Sequence, residues 1–171
     1  ITIVSAGTST ITASQAITSD YGSATITATL TVNKATPTIT NFSAITKTFG
    51  NAAFGLVAPT SNSTGAFTYT SSNTAVATIA GSTVTIVGAG TATISASQET
   101  TANHLAGTTT ATMTVSQATP TITIFDVPAK AIGTAPFSLA APTSNSSGAF
   151  TYTSSNTSVA TMDGSMVAIV G

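Results

Sequence analysis

The chain repeats itself with a period that never slips, and this constrains its fold more than any other feature. Pro37 and Pro120, Tyr69 and Tyr152, Gly81 and Gly164, and Gly88 and Gly171 are each 83 residues apart. GAFTYTSSNTAVATIAGSTVTIVGAG, from Gly65 to Gly90, returns as GAFTYTSSNTSVATMDGSMVAIVG, from Gly148 to Gly171. The same offset lays Ile1–Lys34 on Val84–Gln117, so that TIVSAGTSTITASQ matches TIVGAGTATISASQ. The domain organisation expected is therefore the C-terminal part of one unit (1–34), one complete unit (35–117) and the N-terminal part of a further unit (118–171).

The two partial units are complementary, since 118–166 supplies the part of a full unit before position 84 and 1–34 supplies the part from there onward. Two arrangements satisfy this: a stretch of a longer tandem array, with which the missing initiator Met agrees, or broken units of neighbouring copies that complete one another by strand exchange. In either case a half-unit alone would expose strand edges and half a core.

Within a unit the punctuation is that of short strands. Phe67-Thr-Tyr-Thr70, Val76-Ala-Thr-Ile79 and Thr83-Val-Thr-Ile-Val87 alternate and are closed by Ser/Asn or Gly, as consecutive antiparallel strands with tight turns are. Before them, Thr38–Phe42 and Ile45–Phe49 read as one split first strand. Gly50-Asn51 reads as a turn, Phe54–Ala58 as a strand ended by Pro59, and Thr60–Thr64 as a polar turn. After them come Thr91–Ser97, the long loop Glu99–Gly107 and the closing strand Thr108–Val115.

About seven strands per 83-residue unit, with no helical periodicity, predict an all-β chain of tandem immunoglobulin-like antiparallel β-sandwiches. Alternation points Phe67, Tyr69, Val84, Ile86, Ala92, Ile94, Met113 and Val115 inward and Thr68, Thr70, Thr83, Thr85, Thr91 and Thr93 outward. Each large inward side chain is worth roughly 1.5–3 kcal/mol. Successive units are joined at Lys34 and Pro37, and again at Gln117 and Pro120, by too few residues for free rotation, so the junctions should be stiff.

FTYTSSNTAVATIAGSTVTIVGAGTATISAS resembles the bacterial immunoglobulin-like domain of the invasin and intimin type (group 2). That motif has an aromatic strand, Ser-Ser-Asn or Ser-Ser-Asp, Val-Ala-Thr-Val, and then Gly-x-Val-x-Gly-x-x-x-Gly-Thr-Ala-x-Ile. Tyr69 stands where the family often has Trp, while Gly88, Gly90, Thr91, Ala92 and Ile94 match the closing motif. The likeness covers the second half of the unit, not its first 20 residues or the Glu99–Gly107 loop. It implies tandem extracellular modules of bacterial surface or phage structural proteins, used as spacers and sometimes for adhesion at the tip.

Composition argues against several functions. Charged residues are 4% of the chain, all three cations are Lys (Lys34, Lys47, Lys130), and no basic patch for nucleic acid can be assembled. Ser and Thr, about a third of the residues, keep the strands soluble without charge. There is no Cys, and despite a mean hydropathy of +0.41 no apolar run approaches the roughly 18 residues of a spanning helix. No membrane insertion is expected.

No catalytic, cofactor or metal site is expected. The four acids Asp20, Glu99, Asp126 and Asp163 face Asn103, Ala16, Ser43 and Ala80 at the repeat offset, so no acid recurs for a calcium or paired-carboxylate site. His104 faces Tyr21 and has no second His or Cys for a metal. Lys47 and Lys130 do recur, but an isopeptide bond to Asn62 or Asn73 needs a neighbouring carboxyl group, and a Lys stem lying on apolar surface is the simpler reading. Outward Thr pairs suit an ice or polysaccharide lattice only on a flat sheet, which a sandwich lacks. The Asn-x-Ser/Thr triplets at Asn41, Asn62, Asn145 and Asn156 arise by chance in so Ser/Thr-rich a chain.

The expected role is a non-enzymatic spacer of an extracellular fibre, stalk or large bacterial adhesin at the cell surface, its partners being neighbouring repeats of the same or another copy, with filament assembly as an extension. The alternatives are a phage structural or decoration domain and an adhesion module that grips host or surface glycan or a receptor through loops 16–24 and 99–107. The ligand-loop candidates there are Asp20, Tyr21, Glu99, Asn103 and His104.

Overall fold

The computed structural model describes residues 2–171; Ile1, the first residue of the leading partial unit, lies outside the described residues. The chain divides into two compact units, Ile1–Ala118 and Thr119–Gly171, so the leading partial repeat clusters with the complete one.

The first unit begins with a hairpin of β1 (Gly7–Gln15) and β2 (Ala24–Val32), in register from Gly7 opposite Val32 to Gln15 opposite Ala24. β1 is exposed along its whole length. The complete repeat comes next, with β3 (Ile39–Thr40), β4 (Ile45–Thr48), β5 (Phe54–Gly55), β6 (Thr60–Ser61), β7 (Phe67–Ser71), β8 (Ala77–Ala80), β9 (Thr83–Ile86), β10 (Gly90–Gln98) and β11 (Gly107–Ser116). One layer has the order β4-β11-β10-β7 and the other is β5-β9-β8, while β3 and β6 form a separate short pair.

Two-residue alternation puts one face of each layer inside. Val76, Ala77 and Val84 meet Ala92, Ile94, Met113 and Val115 in a single core, against which Phe42, Ile45, Phe54, Leu56, Ile79 and Ile86 pack. The outward threonines, from Thr68 to Thr93, are all exposed. Phe42, Phe67 and Tyr69 add aromatic contacts on the same side, with ring centroids 6.3 Å apart for Phe42–Tyr69 and 6.4 Å for Phe67–Tyr69.

The sandwich departs from the wholly antiparallel arrangement expected from alternation. β4 runs parallel to β11, from Ile45 opposite Met113 to Thr48 opposite Ser116. The split first strand is the cause: β3 pairs antiparallel with β6, the backbone turns at Asn41 with φ of 60°, and the chain then joins the larger sheet as β4. A short polar side chain tolerates that left-handed conformation. Thr60–Thr64 is likewise not only a turn, since Thr60 and Ser61 form β6 opposite Thr40 and Ile39. The strand expected over Phe54–Ala58 stops at Gly55, and the buried Pro59, which has no amide hydrogen to give, separates β5 from β6.

The second unit contains β12 (Ile122–Thr123), β13 (Phe137–Ser138), β14 (Thr143–Ser144), β15 (Ala160–Asp163) and β16 (Met166–Ile169). Its ladders repeat those of the first at the offset of the sequence: Ile122 faces Ser144 as Ile39 faces Ser61, and Phe137 faces Val167 as Phe54 faces Val84. The counterparts of β4 and β7, residues 128–131 and 150–154, form no strand among the described residues, because the strands they would pair with correspond to β11 and β10.

Burial raises the Tyr69 phenol above its ordinary value by desolvation. The unfolded chain therefore loses this proton first as pH rises through about 10, and folding weakens from there upward. Urea unfolding between pH 7 and pH 11 should show a fall in stability above pH 10 that is smaller in Tyr69→Phe. Ile94, fully buried at the centre of β10, should cost about 2–5 kcal/mol when changed to Ala, measured by the same unfolding experiment at neutral pH.

Candidate functional site

The side chains singled out by sequence as ligand loops fall at the tips of two hairpins, and one tip has another role. Loop Glu99–Ala106 folds back on the linker that enters the complete repeat. Lys34 Nζ donates to the Thr101 carbonyl at 2.6 Å and to Thr100 Oγ1 at 3.4 Å. The Ala35 amide donates to the Asn103 carbonyl at 2.9 Å and the Leu105 amide to the Ala35 carbonyl at 2.8 Å, with a parallel bridge between Ala35 and His104. Asn103 Oδ1 reaches the preceding hairpin, where it accepts from the Ala6 amide at 3.0 Å.

The loop holds its own shape for this task. Thr100 Oγ1 and the Thr101 amide both donate to the His104 carbonyl, each at 2.9 Å, and the His104 amide donates to Thr101 Oγ1 at 3.1 Å. Pro37 is buried at the start of the repeat, directly over Gly107: a Cβ there would lie 2.6 Å from Pro37 Cγ. The linker is thus held from both sides, by hydrogen bonds from the loop and by the packing of Pro37 over Gly107.

Asp20 and Tyr21 sit on the tip of the β1–β2 hairpin, away from the other candidates. Ser19 Oγ donates to Asp20 Oδ2 at 3.3 Å, and Tyr21 is 78% exposed. The base of that hairpin, at Ala6, is what Asn103 touches, so nine residues of strand, about 30 Å, separate the tip from the Asn103 loop. Glu99 is exposed, its amide donating to the Ala66 carbonyl at 3.0 Å. A shallow hollow of ≈ 210 Å³ lies between Asn62, Thr64 and Thr101–His104. At the second junction Gln117 and Pro120 are both exposed, in contrast to the buried Pro37.

The repeated lysines and the asparagine triplets also have structural answers. Lys47 Nζ lies 4.5 Å from the centroid of the Phe54 ring and Lys130 Nζ 5.2 Å from that of Phe137, a repeated cation–aromatic contact. Asn62 Oδ1 accepts from the Thr38 amide at 2.8 Å and Asn145 Oδ1 from the Thr121 amide at 2.9 Å, so these amides serve the fold. No group of three or more His, Cys, Asp or Glu is placed for a metal among the described residues.

One buried polar residue that organises the unit escaped the sequence reading. Gln98, at the end of β10, is only 2% exposed. Its Nε2 donates to the Ser63 and Gly65 carbonyls, each at 2.9 Å, and its Oε1 accepts from Ser61 Oγ at 2.7 Å. The signal was present: Gln98 continues the inward series Ala92, Ile94, Ala96, and Gln15 recurs at the repeat offset. A second polar knot explains the Ser-Ser-Asn motif. Ser72 Oγ accepts from the Thr93 amide at 2.9 Å, and Asn73 Nδ2 donates to the Thr91 carbonyl at 3.3 Å while its Oδ1 accepts from the Ala75 amide at 3.1 Å. The motif therefore ties the end of β7 to β10.

Residues 56–100 match the family model of the intimin, immunoglobulin-like domain. The matched stretch runs from the residue after β5 to just past β10 and contains both polar knots, so the sequence resemblance and the family model agree on the same part of the unit. No curated protein and no solved structure matches the chain.

Removing the side-chain half of the clamp tests its contribution. In Lys34→Ala/Asn103→Ala, each lost hydrogen bond being worth about 0.5–1.5 kcal/mol, hydrogen exchange at the Ala35 and Leu105 amides should accelerate roughly tenfold or more. The amides of β10 should keep their protection.

Proposed function

We propose that this chain is a non-enzymatic structural repeat of an extracellular fibre, stalk or large bacterial adhesin, acting as a stiff spacer whose partners are neighbouring repeats. The observation that carries this reading is the junction clamp, in which the loop available for ligand recognition binds the linker instead. The intimin-type match supports placing the module outside the cell. Boundaries at 1–34, 35–117 and 118–171 remain the organisation we propose, with Lys34 and Pro37 at one junction and Gln117 and Pro120 at the next.

The parallel pair β4–β11 suits a load-bearing role. Tension enters the complete repeat near Ala35 and leaves near Gln117, so it slides β4 against β11 and loads their ladder in shear, where all its bonds must yield together. The Phe49 amide extends this ladder by donating to the Ser116 carbonyl at 2.9 Å. Glycan or receptor recognition has its best remaining support in exposed Tyr21 beside Asp20.

Single-molecule stretching of the chain should show one abrupt rupture of the complete repeat, at a force lowered by Phe49→Pro, which removes that donor. Rupture at forces no greater than those that open an isolated hairpin would overturn the load-bearing role. Reproducible glycan-array binding abolished by Tyr21→Ala would instead establish adhesion.

A further inference from the structure

Only one charged position recurs between the repeats. Lys47 and Lys130, two of the three cations in the chain, are 83 residues apart, whereas no acid has a charged counterpart and Lys34 faces Gln117. Lys47 lies on β4, which ends the order β4-β11-β10-β7 and so has one side unpaired. That edge belongs to the complete repeat, in which every strand from β3 to β11 is present. An open strand edge is a template for pairing with another chain.

The main chain of this edge is partly capped. The Phe49 amide donates to the Ser116 carbonyl at 2.9 Å, so Ile45, Lys47 and Phe49 turn their backbone groups to β11, and Thr46 and Thr48 turn theirs to the open side. At Thr48 both groups are taken, the amide by Asn51 Oδ1 and the carbonyl by the Asn51 amide, each at 3.0 Å. The counterpart of Thr48 is Ala131, whose carbonyl accepts from Thr134 Oγ1 at 2.7 Å and from the Thr134 amide at 3.2 Å. Within β4 this leaves an incoming strand the amide and carbonyl of Thr46.

The lysine is placed to deny that pairing. Lys47 stands opposite buried Val115, on the inward side of β4 with Ile45, and its Nζ lies 4.5 Å from the Phe54 ring centroid. It is the one charged residue lining a groove of ≈ 440 Å³ between β4 and β5, where Phe42, Ile45, Phe54, Leu56 and Val57 supply the apolar walls. A strand added along Thr46 would roof this groove and take the ammonium out of water, with a ring face and no carboxylate to hold it. The contact does not depend on the sheet, since Lys130 Nζ lies 5.2 Å from the Phe137 ring centroid although residues 128–131 form no strand. In that repeat Pro128, which has no amide hydrogen, stands where Ile45 begins β4.

We propose that Lys47 is an edge guard, which together with the Asn51 cap keeps the β4 edges of like repeats from pairing with one another. Near-identical units in one chain meet at high effective concentration, where misassembly between neighbours is the characteristic failure. Without its lysine, Ala44–Phe49 would be an uncharged, strand-forming segment, the kind that stacks edge to edge. The guard acts on identical neighbours whether or not the array bears load, so it does not rest on the spacer reading.

The test uses the 171-residue chain. Lys47→Met should lower the concentration at which half the molecules are associated, read by light scattering, by about tenfold or more. The melting temperature of the complete repeat should stay level or rise, because Met packs well against an aromatic ring. Lys47→Arg should behave as the unchanged chain. Thr46→Lys/Lys47→Met keeps the net charge but moves it to the outer face, and should still associate more readily than the unchanged chain. Hydrogen exchange at the Thr46 amide should be fast in the unchanged chain and slow in associated Lys47→Met. Equal association of Lys47→Met and the unchanged chain overturns the guard, and so does association that leaves Thr46 unprotected. A Thr46→Lys/Lys47→Met chain as dispersed as the unchanged one also overturns it, since net charge rather than its placement would then be decisive. Rupture force in the stretching experiment is read separately, so the spacer reading stands or falls without it.

Discussion

Insertion of the β10–β11 hairpin between its neighbours is the contact on which the rest of the unit depends. Its inner face contributes Ala92, Ile94, Ala96, Ala111, Met113 and Val115 to the buried core, and Gln98 closes the end. The chain contains its own control. Where the hairpin is present, Phe67–Ser71 is a strand and Val76 is buried; in Thr119–Gly171, where no such hairpin lies among the described residues, Phe150–Ser154 forms no ladder and Val159 is half uncovered. The β12–β14, β13–β16 and β15–β16 pairings persist there, since those contacts do not pass through the hairpin.

Polar groups do in this protein what charge does in many others. With so few ionisable side chains, specificity comes from hydroxyl and amide groups placed at strand ends. Gln98 satisfies two carbonyls and a hydroxyl inside the sandwich, Ser72 and Asn73 tie the end of β7 to β10, and Asn62 holds the Thr38 amide before β3. No buried side-chain nitrogen or oxygen lacks a partner among the described residues. An unpaired polar group in a dry core costs about 1–3 kcal/mol, so such knots discriminate strongly between the right register and a slipped one. The same chemistry makes the junction: the linker is held by hydrogen bonds from a loop whose own turn is closed by Thr100, Thr101 and His104.

Particular elements show where sequence reading succeeds and where it stops. Inward and outward positions on β7, β9, β10 and β11 come directly from alternation, because a strand has a period of two and this core has one side. The split of the first strand was visible as two short runs. Its change of partner was not, because alternation is the same for parallel and antiparallel neighbours, and β4 joined β11 in the parallel sense. β6 was hidden inside a Ser/Thr/Asn run that reads as a turn. Gln98 escaped notice because a glutamine at a strand end looks like a solvated one until its three partners are in place.

The candidate site divides in the same way. Asp20, Tyr21, Glu99, Asn103 and His104 were legible as two variable loops, but not that the second loop returns to Lys34 and Ala35, a contact between residues 66 to 70 positions apart. The sequence by itself determined the 83-residue repeat, the β class, the faces of the long strands and the poverty of charge, all of which are local or periodic properties. Tertiary structure alone decided which strands are neighbours, what loop 99–106 touches and which polar side chains are buried. Those depend on contacts between distant residues, which a periodic pattern permits in several arrangements and only packing selects.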